Sequence, residues 1–499
     1  MKYDVIIIGS GLGGLECGCI LARKGMSVLI LERQMQPGGC MQSYKRRGVA
    51  FDTGMHYVGG LGESDCLHAP FKYLGLMDLP WQRLDPTGFD RVTIGDRTFR
   101  YAEGHKAFYE TLVQDFPHQA EALQKYCGVM NEVGSHLFDS LKPRDEVDFF
   151  STSLFSAGAY DFLTTNFSDN LLMNTLCGSS LKMELCKEKL PLYTFAQGNN
   201  SFIQSSWRLK GDGMLIVEKL ISNLRSMGGE IICNAGVEEL IEKDGRLVAA
   251  RCANGEVYEA DLFISNAHPA VTCDLVKEST KMKRVYKNRM HNLENTYGMF
   301  TLSLSLKPGS LKYFNFNQYI YREANVWDYY KSDNPVSGLL ISCRCPEDFD
   351  EKSANIPDAQ VLDIITPMPW NQIEKWSDTT LGHRGEEYRE FKERKAAECI
   401  ALAEQFIPNL HSMVENMYTS TPLTYRDYTL TPNGSAYGVR KDFNNPMMTL
   451  LSAKTPIPNL LMTGQSLTLH GLLGVTMSSL FTVSEVIGKE EAWLITQTN

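Results

Sequence analysis

The sequence predicts an α/β fold that opens with a parallel strand–helix–strand unit, and three observations predict it. Tyr3–Ile8 (YDVIII) is a short apolar, β-branched run of strand length. Gly9-Ser10-Gly11-Leu12-Gly13-Gly14 follows, with glycines at 9, 11 and 14 in G-x-G-x-x-G spacing. A segment of helical character, Leu15 to Lys24, then ends at Gly25, and a second apolar run, Met26 to Leu31, closes on Glu32.

Each part has a physical reason. Gly9 makes the tight turn, Gly11 lets the backbone approach a pyrophosphate, and Gly14 lets the helix pack close to the strand. Ser10, Leu12 and Gly13 lie in the same turn and count with them as cofactor contacts. The pyrophosphate sits on unsatisfied amides at the positive end of the helix. Glu32, at the tip of the second strand, is placed to accept hydrogen bonds from both ribose hydroxyls. An acid there disfavours a 2′-phosphate, hence NADP. Strand, glycines, helix, second strand and acid in this order are a dinucleotide fingerprint, and the expected ligand moiety is an ADP.

At 499 residues the chain is long enough for two or three domains. A hydrophobic fraction of 43% and a charged fraction of 22% are those of a soluble globular protein. Net charge is −10 and no basic block stands out, so nucleic acid is not an expected partner. The 13 cysteines are scattered without a C-x-x-C pair, which reads as reduced thiols in a cytoplasmic setting, and no metal site is expected. Lys2 and Asp4 flank the start of the apolar run, which ends in glycines, so no signal peptide is expected. The longest stretch without formal charge, 455–484, is broken by Pro456, Pro458, Gly464, Gly471 and Gly474 and does not read as a membrane span.

Glu32-Arg33-Gln34-Met35-Gln36-Pro37-Gly38-Gly39-Cys40 resembles the E-(R/K)-…-P-G-G-R segment of the FAD-dependent amine oxidase and phytoene desaturase superfamily. Three later stretches resemble the same superfamily. Lys210-Gly211-Asp212-Gly213-Met214 precedes a helical pattern at Val217, Leu220, Ile221 and Leu224. Gly229–Val237 leads through a hairpin-like region to Ala260–Ala267, and Pro458–Gln465 is a returning strand. The resemblance implies FAD, with Gly38 and Gly39 near the pyrophosphate and ribityl chain, Val237 at the adenine, and Gly464 and Gln465 at the flavin. It also implies a helix after Gly474 and Val475 whose N-terminal amides face the flavin N1/C2 carbonyl.

The implied architecture is α/β: a discontinuous, Rossmann-like FAD-binding domain of glutathione reductase type, as in amine oxidases and phytoene desaturases, with an α+β substrate domain. The segments would be 1–70, 205–285 and 425–499 for FAD, and 71–204 and 286–424 for substrate. The aromatic stretch Tyr313–Tyr330 reads as a sheet strand or as a wall of an apolar tunnel. Charge-rich Glu386–Lys395 reads as a solvated helix face.

Cys40 after the glycine pair, Phe51-Asp52-Thr53-Gly54-Met55-His56-Tyr57-Val58-Gly59, and Thr463-Gly464-Gln465 leading to His470-Gly471-Leu472-Leu473-Gly474-Val475 look like the retinol saturase branch. Thr366-Pro367-Met368-Pro369-Trp370 is similar to that branch as well. The resemblance implies reduction of a C=C bond in an apolar polyene or isoprenoid lipid. Saturation needs a hydride from reduced flavin and a proton from a positioned acid. Gly54, Met55, His56 and Tyr57 are expected beside the isoalloxazine, with His56 or Tyr57 as the acid and His470 as a third candidate. Desaturation of a carotenoid precursor, carotenoid cis–trans isomerisation and a non-catalytic prenyl-lipid escort are the alternatives. An amine oxidase is disfavoured by Cys40 in place of Arg and by the lack of an evident aromatic pair to frame an amine. NAD(P)H stays open as an electron source that would bind without a second glycine fingerprint. Peripheral membrane contact suits such a substrate, and the oligomeric state is open.

Overall fold

The computed structural model describes residues 2–142, 153–331 and 335–497. Its first sheet is built around the strand Lys2–Ile8, which pairs in parallel with Val28–Leu31 on one side and Val257–Ser265 on the other. Glu230–Ile232 extends one edge in parallel, and Leu460–Met462 pairs in parallel with the end of Val257–Ser265. Strands Val237–Lys243 and Arg246–Cys252 form the antiparallel hairpin that completes the sheet. The four residues Val28–Leu31 and most of Lys2–Ile8 are buried on both faces, as a parallel strand covered by helices requires. Strands from three distant stretches of chain therefore meet in one sheet.

Three helices, Leu12–Arg23, Met214–Ser226 and Gly471–Ile487, pack together on this sheet. The first begins at Leu12, three residues earlier than the apolar pattern indicates, because Gly11 adopts an extended N-cap conformation and releases the helix at once. Its C-terminus comes at Lys24, and Gly25 takes the left-handed φ of +85° that glycine favours. The last helix begins at Gly471, not after Gly474, which lies inside its first turn.

The second sheet runs in the order Val414–Ser420, Gly298–Leu306, Val361–Met368, Gly338–Cys343, Asn317–Tyr321, Asp90–Ile94, Arg97–Tyr101. All its pairings are antiparallel except that of Asn317–Tyr321 with Asp90–Ile94. Alternate side chains divide between two cores. Phe300, Leu302, Leu339, Ile341, Leu362 and Ile364 face a core shared with the helix Glu386–Ala403. Met299, Thr301, Leu340 and Ile365 face the opposite way, toward a cavity. The charge-rich stretch Glu386–Lys395 of this helix is solvated at most of its positions, as expected, but Tyr388, Phe391 and Lys395 are buried. Among the described residues no helix is long and apolar enough to cross a membrane.

Two details of the helix packing have measurable consequences. A Cβ added at Gly14 would lie 2.1 Å from the carbonyl oxygen of Gly9, so helix and turn touch through backbone alone. Gly14→Ala is expected to cost about 3 kcal/mol or more, read as a lowered denaturant midpoint. Glu16 is fully buried between the first and last helices, where Thr476 Oγ1 donates to its Oε1 at 2.7 Å and Oε2 has no partner. Burial raises its pKa to about 7, with the hydroxyl of Thr476 pulling the other way. The folded state thus holds a proton that the unfolded chain releases near pH 4.5. Its stabilising contribution is complete below that pH and is lost as pH rises through about 7. Glu16→Gln should flatten this decline in melting temperature between pH 5 and 8, relative to the unaltered chain.

Candidate functional site

The glycine turn does not stand alone. Gly38 and Gly39, both with left-handed φ, bring the segment after Glu32 back against it, and Gly38 makes an isolated parallel bridge with Gly11. A Cβ at Gly39 would lie 3.1 Å from Gly11 Cα, and one at Gly13 would lie 3.3 Å from Gly464. Asn266, just past the end of the strand Val257–Ser265, fills the space between. Its Nδ2 lies 2.7 Å from a Cβ built on Gly11, and its Oδ1 lies 2.8 Å and 2.7 Å from those built on Gly13 and Gly464. Four backbones and one carboxamide thus converge where any side chain would collide.

Ser10 locks the same point. Its Oγ donates to Glu32 Oε2 at 2.5 Å and accepts from the Gly38 amide at 3.1 Å, while its own amide donates to Glu32 Oε2 at 2.9 Å. Gln34 N donates to the other carboxylate oxygen at 2.7 Å. Glu32 is therefore fixed by protein donors, and the lone pairs they leave free are available at the cavity it lines.

One cavity of about 460 Å³ runs from this cluster into the interface between the two sheets. At one end it is lined by Gly9, Gly11, Leu12, Gly13, Glu32 and Arg33, with Val237 beside them. Gly39, Cys40, Gly54, His56, Gly464 and Gln465 line its middle. There the first turn of the last helix also meets it, through Gly471, Leu472, Leu473 and Val475. Five of the expected contacts do not line it. Ser10 and Gly14 lie behind the glycine turn, Gly38 behind Gly39, and Met55 turns to a small void beside Asp52. Gly474 serves packing: a Cβ there would lie 2.2 Å from the carbonyl carbon of Leu469.

At the far end the walls are aromatic and apolar. Tyr57, Phe202, Tyr319 and Tyr437 contribute rings, with Leu340 and Ile365 from the second sheet. The aromatic stretch Tyr313–Tyr330 supplies both expected roles: its strand Asn317–Tyr321 is core, and Tyr319 reaches the cavity. Tyr425 also lines the cavity.

The two histidines here are held neutral. His56 is driven down to about 4 by burial and then by the Arg208 cation, and its Nδ1 lies 3.7 Å from Asp363. His470, packed against Tyr437 with centroids 4.5 Å apart and the rings tilted by 33°, donates from Nε2 to the Lys182 carbonyl at 2.9 Å, and burial drives it to about 4 as well. At neutral pH neither imidazole carries a proton to give as a cation. Tyr57 is different. Its hydroxyl donates to Asp90 Oδ2 at 3.0 Å and accepts from Tyr319 at 2.7 Å. Burial, then the Asp90 charge, holds the Tyr57 phenol well above its ordinary value, so it stays protonated. Asp90 and Asn317 are register partners, and Asn317 Nδ2 donates to Asp90 Oδ1 at 2.9 Å. The Cys40 thiol opens to the cavity but is remote from bulk water, which raises its pKa, and no second cysteine lines the same space.

The cavity fits a dinucleotide: side-chain-free backbone at Gly11, Gly13, Gly39 and Gly464, two helix N-termini and a fixed acid face one channel. A family model described as an NAD(P)-binding Rossmann-like domain matches residues 7–74. All-trans-retinol 13,14-reductase of Rattus norvegicus is 25% identical, over 97% of this chain and 86% of its own. Prolycopene isomerase 2 of an Oncidium hybrid cultivar is 25% identical, over 88% of this chain and 75% of its own. Among solved structures, cyclohexylamine oxidase from Brevibacterium oxydans superposes with a TM-score of 0.60 at 12% identity, covering 99% of each chain. The chain thus carries a Rossmann-like dinucleotide-binding unit and shares the overall fold of that oxidase. The sequence pointed to the glycines and Glu32, and to Tyr319 within its aromatic stretch, but not to Asn266, Asp90 or Lys182. Of these, only Asn266 had a signal, its position at the C-terminal edge of a parallel strand. Ser10→Ala removes the hydroxyl that joins Glu32 to Gly38. It should weaken flavin retention about tenfold, roughly 1.4 kcal/mol, measured as flavin lost on dialysis.

Proposed function

We propose that this chain binds FAD along the cavity and reduces a C=C bond of an apolar polyene or isoprenoid lipid, as a retinol saturase-like reductase. The observation that carries the reading is the single channel joining the glycine cluster to an aromatic, apolar chamber, with the N-terminus of the helix Gly471–Ile487 between them. The similarity to retinol 13,14-reductases over nearly the whole chain supports it. Bound FAD supplies the hydride chemistry of such a reaction. The amides after Gly11 would hold its pyrophosphate, Glu32 its ribose, and Val237 its adenine.

The chain's own residues do the rest. The apolar walls exclude water from a substrate that has few polar atoms of its own. His56 and His470, being neutral, position neighbouring groups and do not donate a proton as cations. Tyr57 keeps a proton at its hydroxyl oxygen, and Tyr319 and Asp90 orient that hydroxyl from either side. In this reading the substrate displaces Asp90 as acceptor of the Tyr57 hydroxyl proton, and the hydrogen bond from Tyr319 steadies the phenolate left behind. Isomerisation without net redox change is the second reading, and the prolycopene isomerase similarity favours it.

Anaerobic mixing of the reduced holoenzyme with all-trans-retinol separates the two. A product heavier by two hydrogens supports reduction, and an isomer of unchanged mass favours the second reading. Tyr57→Phe should lower the rate of the mass gain by about 100-fold while flavin content is unchanged. A purified protein without flavin absorbance overturns both readings.

A further inference from the structure

Lys182 closes a short 3-10 turn, Ser180–Lys182, at the chamber end of the cavity. The aromatic wall holds its backbone, since His470 donates to its carbonyl at 2.9 Å and Tyr437 donates to that of Leu181. Its ammonium donates to Ser179 Oγ at 3.2 Å and lies 4.1 Å from the centre of the Phe202 ring. Among the described residues no carboxylate forms an ion pair with it. The nearest acid to influence it, Asp90, already spends one oxygen on Asn317 and the other on Tyr57. The other charged side chains lining the cavity, Glu32 and Arg33, stand at the dinucleotide end.

An ammonium facing an apolar chamber is costly unless an anion joins it. Lys182 has three donors, of which the hydroxyl of Ser179 takes one and the ring of Phe202 faces the head without accepting a full hydrogen bond. Burial lowers its pKa to about 8, with Asp90 acting against that, so the group is still largely charged at neutral pH. We propose that Lys182 is the seat of a carboxylate head group, so that the chamber takes apolar chains ending in a carboxylate in preference to the matching alcohols. The proposal rests on the reading of the chamber as a site for an apolar polyene. It adds the chemistry of one end of the ligand.

The test is binding to the flavin-loaded protein, followed by quenching of tryptophan fluorescence, with retinoic acid and retinol as a matched pair. The acid should bind the unaltered chain about tenfold to hundredfold more tightly than the alcohol. Lys182→Met should abolish that preference while flavin content and melting temperature stay as before, and Lys182→Arg should keep most of it. Equal binding of acid and alcohol, or a preference that survives Lys182→Met, overturns the proposal. Palmitate and hexadecanol form a second pair that separates the two readings. If neither retinoid binds but palmitate is preferred through Lys182, the carboxylate seat stands and the polyene reading falls. If no member of either pair binds, both fall.

Discussion

The structure depends on the close approach of backbone at Gly11, Gly13, Gly39 and Gly464 around the carboxamide of Asn266. These residues come from the first turn, the loop after the second strand, and the ends of two strands far along the chain. No side chain can be added at the contact without displacing a neighbour, and Gly39 and Gly464 also hold left-handed φ values of +55° and +97°. The gain is a surface made of peptide groups, the only protein surface that approaches a phosphate or a flavin edge without steric cost. Ser10 then makes the arrangement cooperative. One hydroxyl joins the acid on the second strand to the amide of Gly38, so disturbing any one of the three loosens the others.

The two sides of the central cavity are unlike. Behind His56 lies a polar latch, in which Asp52 Oδ1 accepts from the Gly213 amide at 2.7 Å and Ser303 donates to Asp363 at 2.6 Å. Arg344 donates to the carbonyls of Gly211 and Ala50 there and pairs with Asp212 at 3.2 Å. Burial raises both Asp52, to about 7, and Asp363, to about 6, so the latch combines hydrogen bonds with the Arg344–Asp212 ion pair. The chamber side is lined by apolar side chains and phenols, with Lys182, His470 and a few hydroxyls among them. On that side the Tyr57 phenol keeps its proton, while both histidines are neutral imidazoles.

The N-terminal unit was legible because its determinants are local. Strand period, glycine spacing and the terminal acid all fall within one short stretch, and the sheet pairs Val5 with Val28 as that reading requires. The start of the last helix was misread because Gly474 looks like a helix breaker in sequence. In three dimensions its missing side chain makes room for the turn at Leu469, so the helix runs through it. The meeting of Asp90 with Tyr319 was invisible for a different reason. Asp90 belongs to a strand near the N-terminus and Tyr319 to one more than two hundred residues later, and only the parallel register places them together. No periodicity in a single stretch records that pairing.

The same register explains why the polar cluster sits where it does. Asn317 and Tyr319 project from one face of their strand, two residues apart, and Asp90 lies directly across from Asn317. Asn317 therefore reaches Asp90 from its own strand, Tyr57 reaches it from the loop beside the glycine cluster, and Tyr319 reaches Tyr57. Arg208 anchors the far side by donating to Asn317 Oδ1 at 2.5 Å. A proton-holding phenol in an apolar chamber is stable only with such support, because an unsatisfied hydroxyl there costs about 1–3 kcal/mol. The sheet thus supplies more than a wall: its one parallel pairing is what lets a buried carboxylate hold Tyr57 at the point where the glycine-lined channel and the apolar chamber meet.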